Sequence, residues 1–421
     1  MRHFTPINGQ IMVENVNLST IAEQVGTPAY VYSTATLTRH YKVFEQAVSG
    51  MDALIAYSVK ANSNQAVLSL LAKLGCGADV VSGGELTRAL SAGIPADKIV
   101  FSGVGKTEAE LRAALEAEIF QFNVESIPEL DLLNSIALDM GKIAPIAFRI
   151  NPDVNAGGHE KISTGRAENK FGVDIADANI AFERARNLAG ISANGIAMHI
   201  GSQIDSLAPF ASAITLGVDL IKQLRAKGYP IETFDIGGGL GISYSADDTP
   251  PPNPTEYGKL VEQLTDGLGL KMLFEPGRLI VGNAGVLLAK TIYVKQGGAR
   301  NFLIIDAAMN DLMRPALYDA HHDIEPVVTP APGTNMISYD VVGPICESGD
   351  TFTQHRLLPE MHAGDLLVLH SAGAYGAVQA SQYNSRPLVP EILVKDDKFA
   401  VIRTRPSIED IFKTENVPDW V

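Results

Sequence analysis

Lys60 directly follows the apolar run Leu54–Val59, and that position gives it chemistry. A short apolar run of this kind reads as a buried strand, so the lysine sits at its C-terminal tip. A poorly hydrated ammonium gives up its proton more readily, and the resulting amine attacks carbonyl carbon. Alone, such a lysine is ordinarily a solvated strand end. Here other segments accompany it. His199 ends the run Gly195–His199 and opens His199-Ile200-Gly201-Ser202-Gln203. A flat imidazole there can stack on an aromatic ring, although a strand-end histidine taken singly is more often structural. Gly237-Gly238-Gly239 follows Thr233–Ile236, where main-chain N–H groups can approach a phosphate; a plain tight turn is the equal alternative. Glu275-Pro276-Gly277-Arg278 closes Met272–Glu275. An acid beside a pyridine nitrogen keeps it protonated, and an arginine binds phosphate or carboxylate through two parallel bonds. Amine, imidazole, glycine turn and acid together fit a pyridoxal 5'-phosphate (PLP) site.

Two clusters lie further on. Arg314-Pro315-Ala316-Leu317-Tyr318 offers a fork donor and a phenol four residues apart. Cys346-Glu347-Ser348-Gly349-Asp350 sets a thiol beside a carboxylate, and a thiol of tuned pKa can donate a proton; taken alone, Cys346 would read as a small buried hydrophobe. His321-His322 invites a metal reading, but adjacent residues do not share a face and no companion ligands follow, so no metal is assigned.

The elements that must carry these residues alternate. Expected strands are Leu54–Val59, Ala78–Val81, Ile99–Phe101, Ile119–Asn123, Ile146–Ile150, Gly195–His199, Thr233–Ile236 and Met272–Glu275. Amphipathic stretches such as Ala66–Leu74, Glu85–Ala92, Glu108–Ala117 and Ala208–Lys227 separate them. Eight alternations over residues 36–280 match a TIM-like (β/α)8 barrel, whose functional residues gather at the C-terminal strand ends. A doubly wound sheet is the competing fold, but Gly237–Gly241 fits the dinucleotide pattern in no register. Beyond residue 281 the pattern turns β-rich, with Val286–Val294, Asn301–Asp306, Ile337–Val342, Leu366–His370 and Lys398–Arg403. An antiparallel β-sandwich or barrel-like domain is expected there, made discontinuous by residues 1–35, which include Ala29-Tyr30-Val31-Tyr32. Thr249–Pro254 reads as a local loop.

Composition limits the partners. The 421 residues suffice for two domains, and 46% hydrophobic with 19% charged residues is ordinary for a globular chain. A net charge of −15 argues against nucleic acid and anionic membrane. No stretch has the length and apolarity of a membrane span, and the first residues lack a signal-peptide run. Only Cys76 and Cys346 are present, and reduced thiols in a cytoplasm are the expectation.

The chain resembles the fold-type III PLP-dependent decarboxylases, and among them the diaminopimelate decarboxylase family. The resemblance rests on Tyr57-Ser58-Val59-Lys60-Ala61-Asn62, Asp79–Leu86, His159 with Ile162–Gly165 and Lys170-Phe171-Gly172, His199–Gln203, the triple glycine, Glu275–Arg278 and Cys346–Asp350. It implies a barrel plus a β domain, and a homodimer with active sites shared between subunits. It implies that Lys60 forms the Schiff base and that His199 stacks on the cofactor ring. Ser202, Gly238, Gly239, Glu275, Pro276, Gly277, Arg278 and Tyr375 would hold the cofactor. Arg278, Arg314, Tyr318, Glu347 and Tyr375 would bind substrate, and Cys346 from the partner subunit would donate the proton. The reaction implied is decarboxylation of meso-2,6-diaminopimelate to L-lysine and CO2, the last step of lysine biosynthesis. Relatives acting on ornithine, arginine or lysine, and a PLP-binding homologue without activity, are the alternatives. Gly157-Gly158 stands where relatives often carry a bulkier residue before the histidine.

Overall fold

The computed structural model describes residues 3–155, 170–245 and 247–421, so the expected His159 segment with Ile162–Gly165 lies outside the described residues. The chain divides into two compact units: Thr38–Ser243 with Thr249–Ile280, and Met1–Leu37 with Tyr244–Asp248 and Val281–Val421.

In the first unit all eight expected strands form: Ala53–Ser58, Gly77–Val80, Ile99–Phe101, Gln121–Val124, Ala144–Asn151, Ile191–Ala197, Thr233–Asp235 and Lys271–Phe274. Each pairs in parallel with its neighbours, and the eighth returns to the first through Met272↔Ala53, Leu273↔Leu54 and Phe274↔Ile55, closing a barrel. Side chains alternate along a strand, and this makes the interior chemically graded. Leu54, Ala56, Val100 and Leu273 form an apolar plug. Further along the same pleats come Ser58 after Ala56 and Glu275 after Leu273, both buried. Thr233 and Asp235 likewise share a face, as do Gln121 and Asn123. Gly195 makes room among them, since a Cβ there would lie 2.0 Å from the Thr233 hydroxyl.

Local signals set the helices around the barrel. Ser82 caps Gly83–Ser91 by accepting from the Glu85 N–H, and Thr107 with Glu110 forms a capping box for Glu108–Ala117. The segment read as a loop ends in a helix: Pro254 occupies the first turn of Pro254–Thr265, capped by Asn253 with Glu256. Proline suits that position because its missing N–H would have no helical partner there.

The second unit is built on a nine-stranded sheet. The long strand Gly285–Gln296 pairs antiparallel with Ala29–Ser33 and Leu366–Leu369 along its first half, and with Asn301–Ile305 along its second. The sheet departs from the purely antiparallel expectation at two places. Asn301–Ile305 runs parallel to Met336–Val342, and Ala29–Ser33 runs parallel to Glu391–Lys395. Ala29–Ser33 is therefore a central strand buried on both faces: Tyr30 and Tyr32 enter one apolar cluster, Ala29 and Val31 another. The expected strands miss Thr351–Pro359 and Glu391–Lys395.

Candidate active site

The barrel strands deliver their terminal residues to one cavity of about 390 Å³, lined by Lys60, Ser102, Asn123, Arg149, His199 and Glu275 among others. Lys60 lies on the 3-10 turn Val59–Ala61 that follows the first strand. Its Nζ is 2.9 Å from Asp79 Oδ2, and the lysine side chain is 35% exposed while Asp79 is fully buried. The amine is thus better hydrated than a strand-end lysine was expected to be, because the barrel mouth opens at this point. A carboxylate on the next strand holds it. The Ser58 hydroxyl lies 3.0 Å from both that Asp79 oxygen and the Glu275 carbonyl, tying three strands together.

Glu275 and Asp235 form the acidic floor. The Asn123 amide donates to Asp235 Oδ2 at 2.9 Å and approaches Glu275 Oε1 at 3.4 Å; the Ser102 hydroxyl is also 3.4 Å from that Glu275 oxygen. The amide's orientation is set from below, since Gln121 Nε2 donates to Asn123 Oδ1 and the Thr233 hydroxyl donates to Gln121 Oε1. Burial, reinforced by the charges of Asp235 and Asp79, pushes the Glu275 carboxyl well above its ordinary range; burial also raises Asp235. Two such acids in hydrogen-bonding contact hold a proton between them.

The Gly237–Gly239 turn packs against both walls. Gly237 and Gly239 adopt φ +67° and +114°, and a Cβ on Gly238 would lie 2.2 Å from the Glu275 carbonyl oxygen. Gly238 N–H donates to His199 Nδ1 at 3.2 Å, so that nitrogen carries a lone pair. Burial holds the imidazole well below its ordinary range, helped by the charges of Arg149 and Lys60, and the ring is neutral. Arg278 begins the helix Arg278–Val281 and donates to the Ser202 hydroxyl at 3.0 Å. Pro276 accepts from Ser58 N–H, and Gly277 packs closely against Ser58 and Ala61, where a Cβ would lie 3.0 and 3.1 Å from theirs.

Lys60, His199, Ser202, Gly238, Gly239 and Glu275–Arg278 all belong to the barrel unit. The remaining expected site residues belong to the other unit. Arg314 opens the helix Arg314–Tyr318, is buried, and bonds His322; the Tyr318 hydroxyl is 3.4 Å from Gln379 Nε2. Cys346 and Glu347 are exposed on the loop after Met336–Val342. Cys346 N–H donates to Asn384 Oδ1 at 3.0 Å, and the Glu347 carboxylate meets the Tyr383 phenol, raising its pKa. Buried Asp350 ties the loop down by accepting from Ile345 and Met309 N–H. Tyr375 takes the left-handed conformation at φ +55°, a strain commonly kept at functional positions. The adjacent histidines part company: His321 faces Asp323 and Arg356, while His322 faces Arg314.

Asp79 and Asp235 are site residues absent from the expected set. Both are acids inside short apolar strands, and that lone mismatch was the available signal. Asn123 and Gln121 left none, and His322 showed only as half of an adjacent histidine pair.

The barrel residues fit PLP. They supply an amine, a neutral ring, a glycine turn packed tightly against His199 and the Glu275 main chain, and a buried acid poised to share a proton with a ring nitrogen. Comparison with known proteins agrees. The family model described as "Pyridoxal-dependent decarboxylase, pyridoxal binding domain" matches residues 34–282. The chain is 48% identical to a diaminopimelate decarboxylase of Zymomonas mobilis over 99% of both chains. It resembles the crystal structure of diaminopimelate decarboxylase from Helicobacter pylori complexed with L-lysine, with a TM-score of 0.91 and 41% identity over 95% of this chain and 99% of that one. The M. jannaschii enzyme, also in complex with L-lysine, gives a TM-score of 0.94 at 36% identity over 99% of each chain. The chain therefore belongs to the diaminopimelate decarboxylase family of pyridoxal-dependent decarboxylases.

Proposed function

We propose that this chain removes one carboxylate of meso-diaminopimelate as CO2 and leaves L-lysine. The observation that carries the reading is the convergence of Lys60, Glu275 with Asp235, and His199 on one cavity, with the glycine turn packed against His199 and the Glu275 main chain. Bound PLP supplies an electron sink for the pair left behind when the Cα–CO2 bond breaks. Lys60 provides the amine that carries the cofactor, and Asp79 orients it. The neutral His199 offers a flat face without a competing positive charge. Glu275, backed by Asp235 and Asn123, holds the proton that faces the ring nitrogen. Gly238, Gly239 and Ser202 with Arg278 receive the phosphate, and Tyr375 joins them. Arg278, Tyr318, Tyr375 and Glu347 bind the polar groups of the substrate, and Arg314 takes its distal carboxylate. Cys346 donates a proton to the carbon that has lost CO2; its exposure leaves the thiol accessible to a neighbouring subunit.

In this reading the barrel, residues 36–280, holds the cofactor, and residues 1–35 with 281–421 bring the substrate groups. The chain works as a homodimer with shared sites, in the cytoplasm, with neither nucleic acid nor membrane as partner. The net charge of −15 and the two unpaired cysteines support this. Among the described residues no helix is long and apolar enough to cross a membrane.

A substrate panel tests the function. CO2 release should be fastest with diaminopimelate and slow with ornithine, arginine and lysine. Borohydride should fix PLP to the peptide containing Lys60. Faster turnover of ornithine or arginine, or label on another lysine, would overturn the reading.

A further inference from the structure

We propose that His322 is a specificity-positioning residue, whose neutral imidazole aims the Arg314 guanidinium at the substrate's distal carboxylate. The inference rests on the reading of Arg314 given above and names what holds that side chain in place.

The ring's protonation state follows from its two partners. His322 Nε2 lies 2.8 Å from Arg314 Nη1. A guanidinium carries only donors, so Nε2 is the acceptor. His322 Nδ1 lies 2.8 Å from the main-chain oxygen of His370. A carbonyl oxygen only accepts, so Nδ1 carries the proton. Imidazolium would set two donors face to face at Arg314, and the other tautomer would spoil both bonds. Only the neutral form with the proton on Nδ1 satisfies this geometry.

The anchor behind the ring is rigid. His370 follows the strand Leu366–Leu369, which pairs antiparallel with Ile324–Pro326, and His370 N–H donates to Asp323 O at 2.8 Å. Both bonds lie in a buried place, with His322 3% and Arg314 6% exposed. Tyr244 completes the mount. The Arg314 guanidinium carbon stands 4.5 Å from the centre of its ring, and the His322 ring meets the same ring nearly perpendicularly, with centroids 5.4 Å apart. One aromatic face thus supports the guanidinium while its neighbour abuts the imidazole.

The choice of histidine has a consequence for specificity. A fork donor is useful only when its plane is aimed, and an in-plane acceptor on one nitrogen sets that aim. An acid at position 322 would orient the fork equally well but would cancel its charge. A neutral acceptor orients the guanidinium without adding a negative charge of its own beside it.

The experiment compares wild type with His322→Gln, His322→Phe, His322→Glu and Arg314→Ala. The principal readout is the ratio of kcat/KM for diaminopimelate to kcat/KM for ornithine, which has no distal carboxylate. Arg314→Ala should lower that ratio most. His322→Phe keeps the aromatic contact but removes the acceptor, and should lower the ratio by roughly 10- to 100-fold, mainly through KM. His322→Gln can place its Oε1 near the Nε2 position and should restore the ratio to within about 5-fold of wild type. His322→Glu should lower the ratio as far as His322→Phe, because the charge is cancelled. Equilibrium binding gives a second readout. L-lysine retains the uncleaved carboxylate and should bind more weakly to the Phe and Glu variants, whereas cadaverine, which has none, should bind all of them alike.

Equal losses for Gln and Phe, or losses shared evenly by both substrates, would mean a purely structural histidine and would overturn the inference. The Gln and Glu variants carry the comparison if His322→Phe does not fold. A selective loss in Arg314→Ala with unchanged His322 variants would sink the inference alone. No selective loss in Arg314→Ala would remove the reading of Arg314 and the inference with it.

Discussion

Gly238→Ala is the sharpest perturbation of the proposed cofactor cradle. The added methyl would lie 2.2 Å from the Glu275 carbonyl oxygen and 3.1 Å from its carbon. Ordinary contact begins near 3.4 Å, so the turn and the Glu275 strand must separate by about 1 Å. Both groups are main chain, so no flexible side chain can yield instead. The two segments are also tied together, because Glu275 N–H donates to Gly237 O at 2.8 Å. The turn therefore moves relative to the acid, and Gly238 N–H leaves His199 Nδ1. Losing one such bond costs about 1 kcal/mol, and a misplacement of about 1 Å costs on the order of 100-fold in a positioned site. PLP should bind roughly 100-fold more weakly, about 2.7 kcal/mol. The assay strips the cofactor and titrates PLP back, following its absorbance, with thermal unfolding of the apo-protein measured alongside. Gly84→Ala is the control. The nearest atom to its added methyl is the Ser82 hydroxyl at 3.7 Å, and it should bind PLP normally. If Gly238→Ala binds PLP within about 3-fold of wild type, the turn is not a steric cradle for this cofactor.

Three other outcomes follow from the structure. Burial pushes the Glu85 carboxyl up to about 7, so the folded protein keeps a proton there that the unfolded chain releases above about pH 4.5. That contribution is full below the lower value and lost as pH rises through 7, by up to about 3 kcal/mol, so Glu85→Gln should gain stability over wild type near pH 8 but not near pH 4.5; a gain independent of pH in denaturant unfolding would refute it. Lys106 is buried with its amine on Glu129 at 2.7 Å and on the Gly103 and Asn123 carbonyls at 2.8 Å, so Lys106→Met should lose about 3–5 kcal/mol, and adding Glu129→Gln should recover part of it; no recovery would count against an unpaired charge as the cause. Mixing inactive Lys60→Ala with inactive Cys346→Ala subunits should restore partial activity if sites are shared, because a mixed dimer keeps one intact site; no activity after verified subunit exchange would place each site within one chain.

The barrel was legible in the chain because its signals are local. Apolar runs of strand length recur between helical stretches, and every expected strand formed within four residues of its expected ends. Strand ends then located Lys60, His199, Gly238 and Glu275, since a parallel barrel sends all its C-terminal ends to one side. Local pattern also indicated the β character and discontinuity of the second unit, but not its two parallel pairings, for the converse reason. Ala29–Ser33 lies between strands that begin some 250 and 360 residues later, and nothing in five residues specifies a parallel neighbour. The electrostatics also needed the fold. Lys60 reads as a desolvated amine until the neighbouring strand brings Asp79 beside it. Glu275 reads as a simple carboxylate until burial, joined by the charge of Asp235 one strand away, pushes it well above its ordinary range. His322 reads as half of a histidine pair until the Arg314 helix and the His370 carbonyl fix its proton. Residue type and spacing determined which groups stand at the strand ends. Tertiary structure alone decided which of them share a proton or an ion pair, because those energies depend on distances and burial between segments far apart in the chain.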